Sequence, residues 1–293
     1  MDLAPWMIRN LPTRALKRLI FSLVRRRQFC YQTTSFRGWL LHGNTTDRIQ
    51  RDLYYFGMWE PSLTAWIEHR LSDGDVFVDV GANVGYFTLL AANCVGITGK
   101  VVAIEPMPEI FQHLSVHVAA NSLHNVRLVD EAAVGPGAEG TVTLYWGGNA
   151  NIGSTSMLTH GERSRSATAA ARPLSSILTD DERRSARLIK IDVEGVEAEA
   201  VRGLGLESGS FRDDLELIVE VSHDPNDQSK AVRFIRYMAD LGFHAYIARE
   251  SNDGFRDLAV RSARRLLPIR LSASNALLPV ENVIFSRLDG DAV

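Results

Sequence analysis

The sequence predicts an α/β fold built on a doubly wound, mostly parallel sheet. Two observations predict it. Short apolar, β-branched runs such as residues 76–80 and 215–221 are typical of strands that are covered on both faces. These runs alternate with helical stretches, which implies right-handed crossovers between parallel strands. The predicted strands are residues 76–80, 101–104, 126–129, 141–146, 188–191, 215–221, 244–248 and 283–285. The predicted helices between them are residues 85–94, 109–121, 195–204 and 229–241.

Length and composition are those of an ordinary globular protein. The chain has 293 residues, of which 45% are hydrophobic and 23% charged, so it can bury a substantial core. A formal net charge of -3 indicates neither a nucleic-acid binder nor an acidic solvating chain, and we expect no nucleic-acid partner. Cys30 and Cys94 are too few for a disulfide framework or a zinc site. With no signal peptide and no long apolar run, the expected location is cytoplasmic.

The chain divides into a basic N-terminal helical extension, residues 1–52, and a larger domain, residues 53–293. Within residues 1–30, seven basic residues stand against one acid, and Leu16, Leu19, Ile20 and Leu23 recur at helical spacing. Such a helix could make weak contact with an anionic membrane surface, or it could pack its apolar stripe on the main domain. Residues 147–172 lack a period, which indicates a lid or substrate loop.

The first predicted strand runs into a glycine-containing turn at residues 79–85, DVGANVG. Gly81 and Gly85 allow a tight turn and the close approach of a ligand, and ligands of open α/β sheets bind at this edge. A dinucleotide fingerprint has its middle glycine where Asn83 stands, and a side chain there would obstruct a pyrophosphate. S-adenosylmethionine has no phosphate. The turn therefore favours S-adenosylmethionine as the cofactor.

Glu105 ends the second predicted strand, about 20 residues after Gly85, where an acid can accept hydrogen bonds from both ribose hydroxyls. Pro106 stops the strand because it lacks an N–H donor. The alternative for a lone glutamate is a solvated strand end. The spacing favours the ribose.

Residues 190–197, KIDVEGVE, close another strand and open a helix. Lys190 and Asp192 share one face of that strand, and clustered like charges favour the raised pKa values that acid–base chemistry uses. Acids that complement a helix dipole are the alternative, which explains Glu197 better than Asp192.

The expected catalytic group is Lys190, Asp192, Glu194 and His223. His223 follows the strand that contains Glu220 and reaches the same edge, although a loop or capping role is equally compatible with the sequence. Asp192, Glu194, Glu220 and His223 are all candidate general bases. The three carboxylates could instead hold a divalent cation, but no spacing requires a metal and none is predicted.

Together these motifs resemble the FkbM-type family of S-adenosylmethionine-dependent methyltransferases over roughly residues 53–288. The residues that carry the resemblance are Gly57, Glu60-Pro61, Gly74-Asp75, DVGANVGYFT at 79–88, Glu105-Pro106 with Pro108, Asn121, KIDVEG at 190–195 with Glu197, Glu220, and NVIF at 282–285. The resemblance implies a Rossmann-like class I methyltransferase fold of seven strands, the last antiparallel. It also implies that Glu105 holds the ribose, that Asp192 faces the methyl group, that Glu131 and Ala132 lie near the adenine, and that the methionine portion binds to Asp79, Gly81, Asn83 and Gly85.

The family includes enzymes that act on sugar or polyketide hydroxyls, so the expected activity is O-methylation of a small hydroxylated acceptor. The sequence predicts no oligomeric state. Two alternatives remain. One is a nucleotide-binding oxidoreductase on a similar sheet, which Asn83 disfavours. The other is a non-catalytic binding module, which the presence of Asp79, Glu105 and Asp192 disfavours.

Overall fold

The computed structural model describes residues 8, 10, 14–35, 37–146, 155–156, 165–222, 227, 229–248, 269–270 and 280–288. The helices are α1 (Arg14–Val24), α2 (Arg48–Phe56), α3 (Pro61–Arg70), α4 (Tyr86–Cys94), α5 (Pro108–Ala120), α6 (Leu174–Ile177), α7 (Asp180–Ser185), α8 (Glu197–Arg202) and α9 (Lys230–Asp240). The strands are β1 (Cys30–Thr34), β2 (Leu40–Asn44), β3 (Val76–Val80), β4 (Lys100–Ile104), β5 (Val126–Val129), β6 (Ala132–Val134), β7 (Gly140–Trp146), β8 (Thr155–Ser156), β9 (Arg165–Pro173), β10 (Ala186–Ile191), β11 (Glu216–Ser222), β12 (His244–Ala248), β13 (Ile269–Arg270) and β14 (Val280–Ser286).

The main sheet has the strand order β13-β12-β14-β11-β10-β3-β4-β5. Strands β11, β10, β3, β4 and β5 pair in parallel, and β14 is antiparallel to both of its neighbours. The predicted doubly wound sheet of seven strands with an antiparallel last strand is confirmed. The two-residue β13 adds an eighth strand at one edge, and residues 141–146 belong to a separate sheet.

The two faces of this sheet bury two separate cores because side chains alternate along each strand. Phe77 of β3 packs into the core on one face, with Leu89 and Leu90 of α4. Val78 packs into the core on the other face, with Met238 of α9. All five residues of β3 are buried. The strand that leads into the predicted cofactor turn is therefore anchored from both sides.

The second sheet, of order β6-β9-β7-β8, corrects the predicted loop at residues 147–172. Residues 165–172 form most of β9, which pairs antiparallel with β7 from Gly140↔Ala171 onward and parallel with β6. Alanine and serine have low strand propensity, so the sequence of β9 indicates a loop, whereas pairing on both sides makes it a strand. Residues 155–156 form β8, and the rest of the predicted loop lies outside the described residues.

The N-terminal region contains more than the predicted helical extension. Helix α1 is present, but β1 and β2 form an antiparallel hairpin from Cys30↔Asn44 to Thr34↔Leu40. Helix α2 runs across the predicted boundary between residues 52 and 53. Short polar strands give a weak sequence signal, which is why the hairpin was not expected. The division into two domains stays a prediction. No helix in the described part of the chain has both the length and the apolar character needed to cross a bilayer.

Candidate active site

A cleft opens where β3, β4, β10 and β11 end. Most of the predicted site residues line it, namely Gly81, Asn83, Glu105, Ala132, Lys190, Asp192 and Glu194. Asp79 is buried in β3 and Gly85 begins α4, and neither is among the lining residues. The Glu131 carboxylate contacts Arg172 at 3.3 Å and does not line the cleft either. His223 lies outside the described residues.

The turn between β3 and α4 uses all of its own backbone donors. The N–H groups of Gly81 and Ala82 both donate to the Ile104 carbonyl, at 2.9 and 3.0 Å. The Asn83 N–H donates to Glu105 Oε2 at 2.9 Å, and the Val84 N–H donates to Asn83 Oδ1 at 2.7 Å. The Gly85 N–H donates to the Ala82 carbonyl at 2.9 Å. Dinucleotide and phosphate sites use N–H groups of the turn and of the helix start, and those of residues 81–85 are already engaged within the protein.

Glu105 directly follows β4, and two backbone N–H groups hold its carboxylate in place. Its Oε2 accepts the Asn83 N–H and its Oε1 accepts the Met107 N–H at 3.0 Å. Burial raises the pKa of Glu105 to about 7, although both hydrogen bonds favour the ionised form. Each carboxylate oxygen has about two lone pairs, so each can accept one more hydrogen bond. Because Glu105 also lines the cleft, a diol such as a ribose would find two acceptors there.

Asp79 lies beneath the cleft and is fully enclosed. Its Oδ2 accepts the Thr88 hydroxyl at 2.6 Å, while Oδ1 is buried without a hydrogen-bond partner in the described part of the chain. Burial raises the pKa of Asp79, and the Lys190 ammonium opposes that shift. Asp79 therefore adds negative charge beneath the cleft, and the nearby Lys190 ammonium offsets part of it.

The ammonium group of Lys190 lies near several of the carboxylates at the cleft. Its Nζ is 2.8 Å from Asp192 Oδ2 and 5.1 Å from the centre of the Phe87 ring. Burial alone would lower the pKa of Lys190, but Asp192, Asp79 and Glu60 together raise it. Lys190 therefore stays protonated at neutral pH. It orients Asp192, whose side chain remains about one-third exposed to the cleft.

Glu220 of β11 lines the cleft and has a strongly raised pKa. Burial raises its pKa to about 9, and the negative charges of Asp192, Glu194 and Glu197 add to the effect. Since Ile191 pairs with Val219, Asp192 and Glu220 are neighbours on adjacent strands. Glu194, with a φ of 58°, holds a left-handed conformation at the exposed end of the group. Glu197 begins α8 and accepts the Gly195 N–H at 2.7 Å, as expected for an acid at a helix start.

Sequence reasoning did not assign a role to five further residues that line the cleft. They are Arg48 of α2, Trp59 and Glu60 before α3, Tyr86 of α4 and Leu144 of β7. Glu60 has a φ of 41°, unusual for a residue other than glycine, and Asn282 Nδ2 approaches its Oε2 at 3.5 Å. The signal in the sequence was the Glu60-Pro61 pair of the resembled family, which by itself indicates only a helix start.

The fold and cleft together define a class of protein. The N–H groups of residues 81–85 are already engaged, which disfavours a phosphate. The two oxygens of Glu105 can accept hydrogen bonds from a diol, and the carboxylates of the cleft suit a cationic nucleoside. S-adenosylmethionine is such a nucleoside, because it combines a ribose with a positively charged sulfonium and an ammonium group. The site is that of a nucleoside-sulfonium-dependent transferase on an open α/β sheet.

The chain belongs to the family described as the methyltransferase FkbM domain, whose model matches residues 79–245. The resemblance deduced from the motifs is thereby confirmed. The chain contains an S-adenosylmethionine-dependent methyltransferase domain, and S-adenosylmethionine is its cofactor.

Among curated relatives, the 23S rRNA (uracil(1939)-C(5))-methyltransferase RlmD of Acinetobacter baylyi is 37% identical over 62 residues, 21% of this chain and 13% of that protein. Protein-L-isoaspartate O-methyltransferase 2 of Archaeoglobus fulgidus is 34% identical over 70 residues, 24% of this chain and 30% of that protein. The chain thus spans less than a third of either relative. The structure of Aeropyrum pernix fibrillarin with natively bound S-adenosyl-L-methionine has a TM-score of 0.44 and 11% identity, covering 78% of this chain and 72% of that one.

The expectation that nucleic acid is not a partner is wrong. One of the relatives above is named as an rRNA methyltransferase, so sequences similar to this one include a protein that acts on RNA. The expectation failed because it was based on the net charge of the chain. A net charge of -3 describes the whole surface, whereas nucleic-acid binding depends on where the basic side chains cluster.

Proposed function

We propose that the protein transfers the methyl group of S-adenosylmethionine to a hydroxyl of a small-molecule acceptor, such as a sugar or polyketide hydroxyl. The observation that carries the proposal is that Asp192, directly after β10, and Glu220, on the adjacent strand β11, line the same cleft as Glu105. An alcohol is a poor nucleophile at neutral pH and needs a proton acceptor at the reacting edge. This cleft supplies carboxylates at that edge.

The cofactor supplies a methyl group on a positively charged sulfur. Glu105, held by Asn83 and Met107, accepts hydrogen bonds from the ribose hydroxyls, and Ala132 contributes to the wall of the same cleft. Asp79 and the adjoining carboxylates provide the negative potential that a cationic ligand requires. Gly81 keeps the turn close to the strand ends. These roles are carried over from the motif positions and the geometry.

Asp192 and Glu220 have different roles at the acceptor hydroxyl. Lys190 orients Asp192 through the contact at 2.8 Å, so that Asp192 accepts a hydrogen bond from the acceptor hydroxyl and positions its oxygen. Glu220 receives the proton, because its raised pKa makes its ionised form the stronger base. A cation bound in the cleft lowers the pKa of Glu220 towards neutrality, where a general base works best. Glu194 lies at the open end, where it can contact the acceptor.

Two further expectations remain predictions. His223 is still a candidate base by its position in the sequence after β11. A cytoplasmic location is proposed from the low cysteine content, since only Cys30 and Cys94 are present. The oxidoreductase alternative loses support because the backbone donors of residues 81–85 are all used within the protein.

The decisive experiment is a transfer assay with methyl-labelled S-adenosylmethionine. Acceptor pools should contain mono- and disaccharides, hydroxylated polyketides, primary amines, carboxylic acids and total RNA, each tested with the wild type and with Asp192→Asn. We expect label in a small product that resists mild alkali, as a methyl ether does and a methyl ester does not. Glu109→Gln, an exposed acid at the start of α5, should retain the activity. Label found in RNA, in an amine or in an alkali-labile ester would overturn the proposed acceptor class.

A further inference from the structure

Helix α1 has a broad apolar surface, and only one side of it is covered. On the covered face, Val24 is buried and Ile20 and Phe21 pack against the end of α2. The Phe21 ring lies 4.9 Å from that of Phe56 and 5.7 Å from that of Tyr55. Packing on the main body of the protein therefore accounts for this face, and it fixes the position of the helix.

The other face carries a leucine stripe made of Leu16, Leu19 and Leu23. Their exposures are 40%, 56% and 68%, so each leaves much of its side chain in water. Residues at positions i, i+3 and i+7 lie on one side of a helix. The described residues contain eight exposed large apolar side chains, and three of them are on this stripe. The expectation that the whole apolar stripe packs on the main domain holds for Ile20 and fails for the leucines.

Arginines adjoin the stripe on one side and at its end. Arg18 is exposed on α1, about 100° around the helix from Leu19. Arg25, Arg26 and Arg27 follow the last turn directly and are exposed as well. Exposed leucines next to exposed arginines on a fixed helix combine the two features by which amphipathic helices bind anionic lipid.

We propose that α1 and residues 25–27 form a docking surface for the anionic surface of a lipid bilayer. The leucine stripe enters the apolar boundary of the bilayer while the arginines contact lipid headgroups. RNA would be attracted by the arginines but would leave the three leucines in water. A second copy of this chain would cover the leucines but would bring like-charged arginines together. Of these three occupants, the lipid surface is the one that matches both the charge and the apolar area.

The surface connects to the cleft through α2. Helix α2 begins with Arg48 and Ile49, which line the cleft, and ends with Tyr55 and Phe56, which pack on α1. The Tyr55 hydroxyl also donates to the Val24 carbonyl at 3.2 Å. Docking of α1 would therefore hold the wall of the cleft at a set distance from the bilayer. This gives the enzyme access to acceptors that are carried on a membrane.

Vesicle flotation of the full chain tests the proposal. Vesicles of phosphatidylcholine alone should be compared with vesicles that also contain phosphatidylserine, at low and high salt. We expect binding to the anionic vesicles only, weakened by salt. The double variant L19Q/L23Q should lose about tenfold or more of that binding, because two leucine side chains no longer leave water. Val232→Gln, which changes an exposed apolar residue of α9, is the matched control and should bind like the wild type.

A second variant and two further measurements complete the test. R25E/R26E/R27E should also abolish vesicle binding, while light scattering should show the same mass for the wild type and both variants. Equal binding to both kinds of vesicle, or unchanged binding by L19Q/L23Q, would overturn the proposal. A fall in mass caused by L19Q/L23Q would assign the leucine stripe to a second copy instead. Loss of RNA binding in the arginine variant, with vesicle binding unchanged, would assign the surface to RNA. Unchanged thermal unfolding of the variants verifies that the fold is kept.

Discussion

Gly81 lies so close to the backbone of Asp192 that a Cβ added to the glycine would stand 1.8 Å from the Asp192 carbonyl oxygen. The Asp192 N–H donates to the Val80 carbonyl at 3.0 Å, so the contact is continuous with the pairing of β3 and β10. The turn that would hold the cofactor and the edge that would hold the acceptor are therefore one packed unit. A displacement of either one moves the other.

Gly81→Ala should disrupt both parts of the site. The residue has a φ of 79°, and the added methyl would overlap a backbone atom that cannot rotate away. Gly137→Ala is a matched control, since Gly137 has a φ of 81° and no atom within 4 Å of the added methyl. We expect the control to lose about 1–2 kcal/mol of unfolding free energy and Gly81→Ala clearly more. S-adenosylhomocysteine binding, measured by calorimetry, should be lost only in Gly81→Ala. Equal effects of the two substitutions would contradict the close contact.

Glu105→Gln should weaken S-adenosylhomocysteine binding by roughly tenfold or more, since hydrogen bonds to a charged acceptor are worth about 1.5–3 kcal/mol. Glu109→Gln, at the exposed start of α5, should bind like the wild type. Calorimetry gives both affinities. A Glu105→Gln affinity within twofold of the wild-type value would argue against contact with the ribose.

The pKa of Glu105 also gives the binding a pH dependence. Because burial raises this pKa to about 7, wild-type affinity should fall as the pH falls through that value and the carboxylate is protonated. The unliganded fold responds in the opposite direction. A raised folded pKa means that stability from this group is present below its ordinary value of 4.5 and is lost as the pH rises towards about 7. Glu105→Gln should remove both dependences.

Glu220→Gln should lower kcat with little change in cofactor affinity. Loss of general-base assistance costs roughly 10²–10⁴-fold in rate. Because the pKa of Glu220 is raised, wild-type kcat/KM should increase from neutral pH towards about 9, and the variant should lose that increase. Glu199→Gln, which removes an exposed acid of α8, should keep the wild-type profile. An unaltered pH profile in Glu220→Gln would remove Glu220 from the proton transfer and leave Asp192, Glu194 and His223 as the remaining candidates.

The main sheet could be predicted from the sequence because its strands are buried on both faces. A run such as β3, with five buried residues, has no competing interpretation as a solvated loop. The cofactor turn could be located for a related reason, since glycines at 81 and 85 mark the end of such a strand. The sequence could not show that Asn83 serves the turn itself. Its side chain holds the Val84 N–H, and that contact depends on the left-handed conformation at residue 83.

The parts that could not be predicted are those held by partners distant in sequence. Strand β9 has an alanine-rich sequence and becomes a strand through β6 and β7. The hairpin of β1 and β2 is held by α5, where His42 meets His117 and Leu40 meets Asn121. Such pairs, about 80 residues apart, leave no local period to detect. Arg48 and Leu144 were missed as cleft residues for the same reason, because they reach the cleft from elements distant in sequence.

His117 should make the stability of the fold depend on pH. It is buried between two segments, with Nδ1 2.6 Å from the Val84 carbonyl and Nε2 2.9 Å from the His42 N–H and 2.8 Å from the His42 carbonyl. Burial lowers the pKa of His117, so the folded state binds its proton less readily than the unfolded state. Stability is therefore full above about 6.5 and falls as the pH decreases, by at most about 1.4 kcal/mol per pH unit.

Urea unfolding at about pH 8 and about pH 5.5 measures this effect. His117→Gln should be less stable than the wild type at the higher pH, by about 1–3 kcal/mol, because a buried donor and acceptor lose their partner. The gap should narrow at the lower pH, where the wild type has lost the contribution of its neutral imidazole. His124→Gln, at an exposed position after α5, should follow the wild type at both values. An undiminished difference in stability at the lower pH would mean that protonation of His117 does not weaken its contacts with Val84 and with the β1–β2 hairpin. Val84 also lines the cleft.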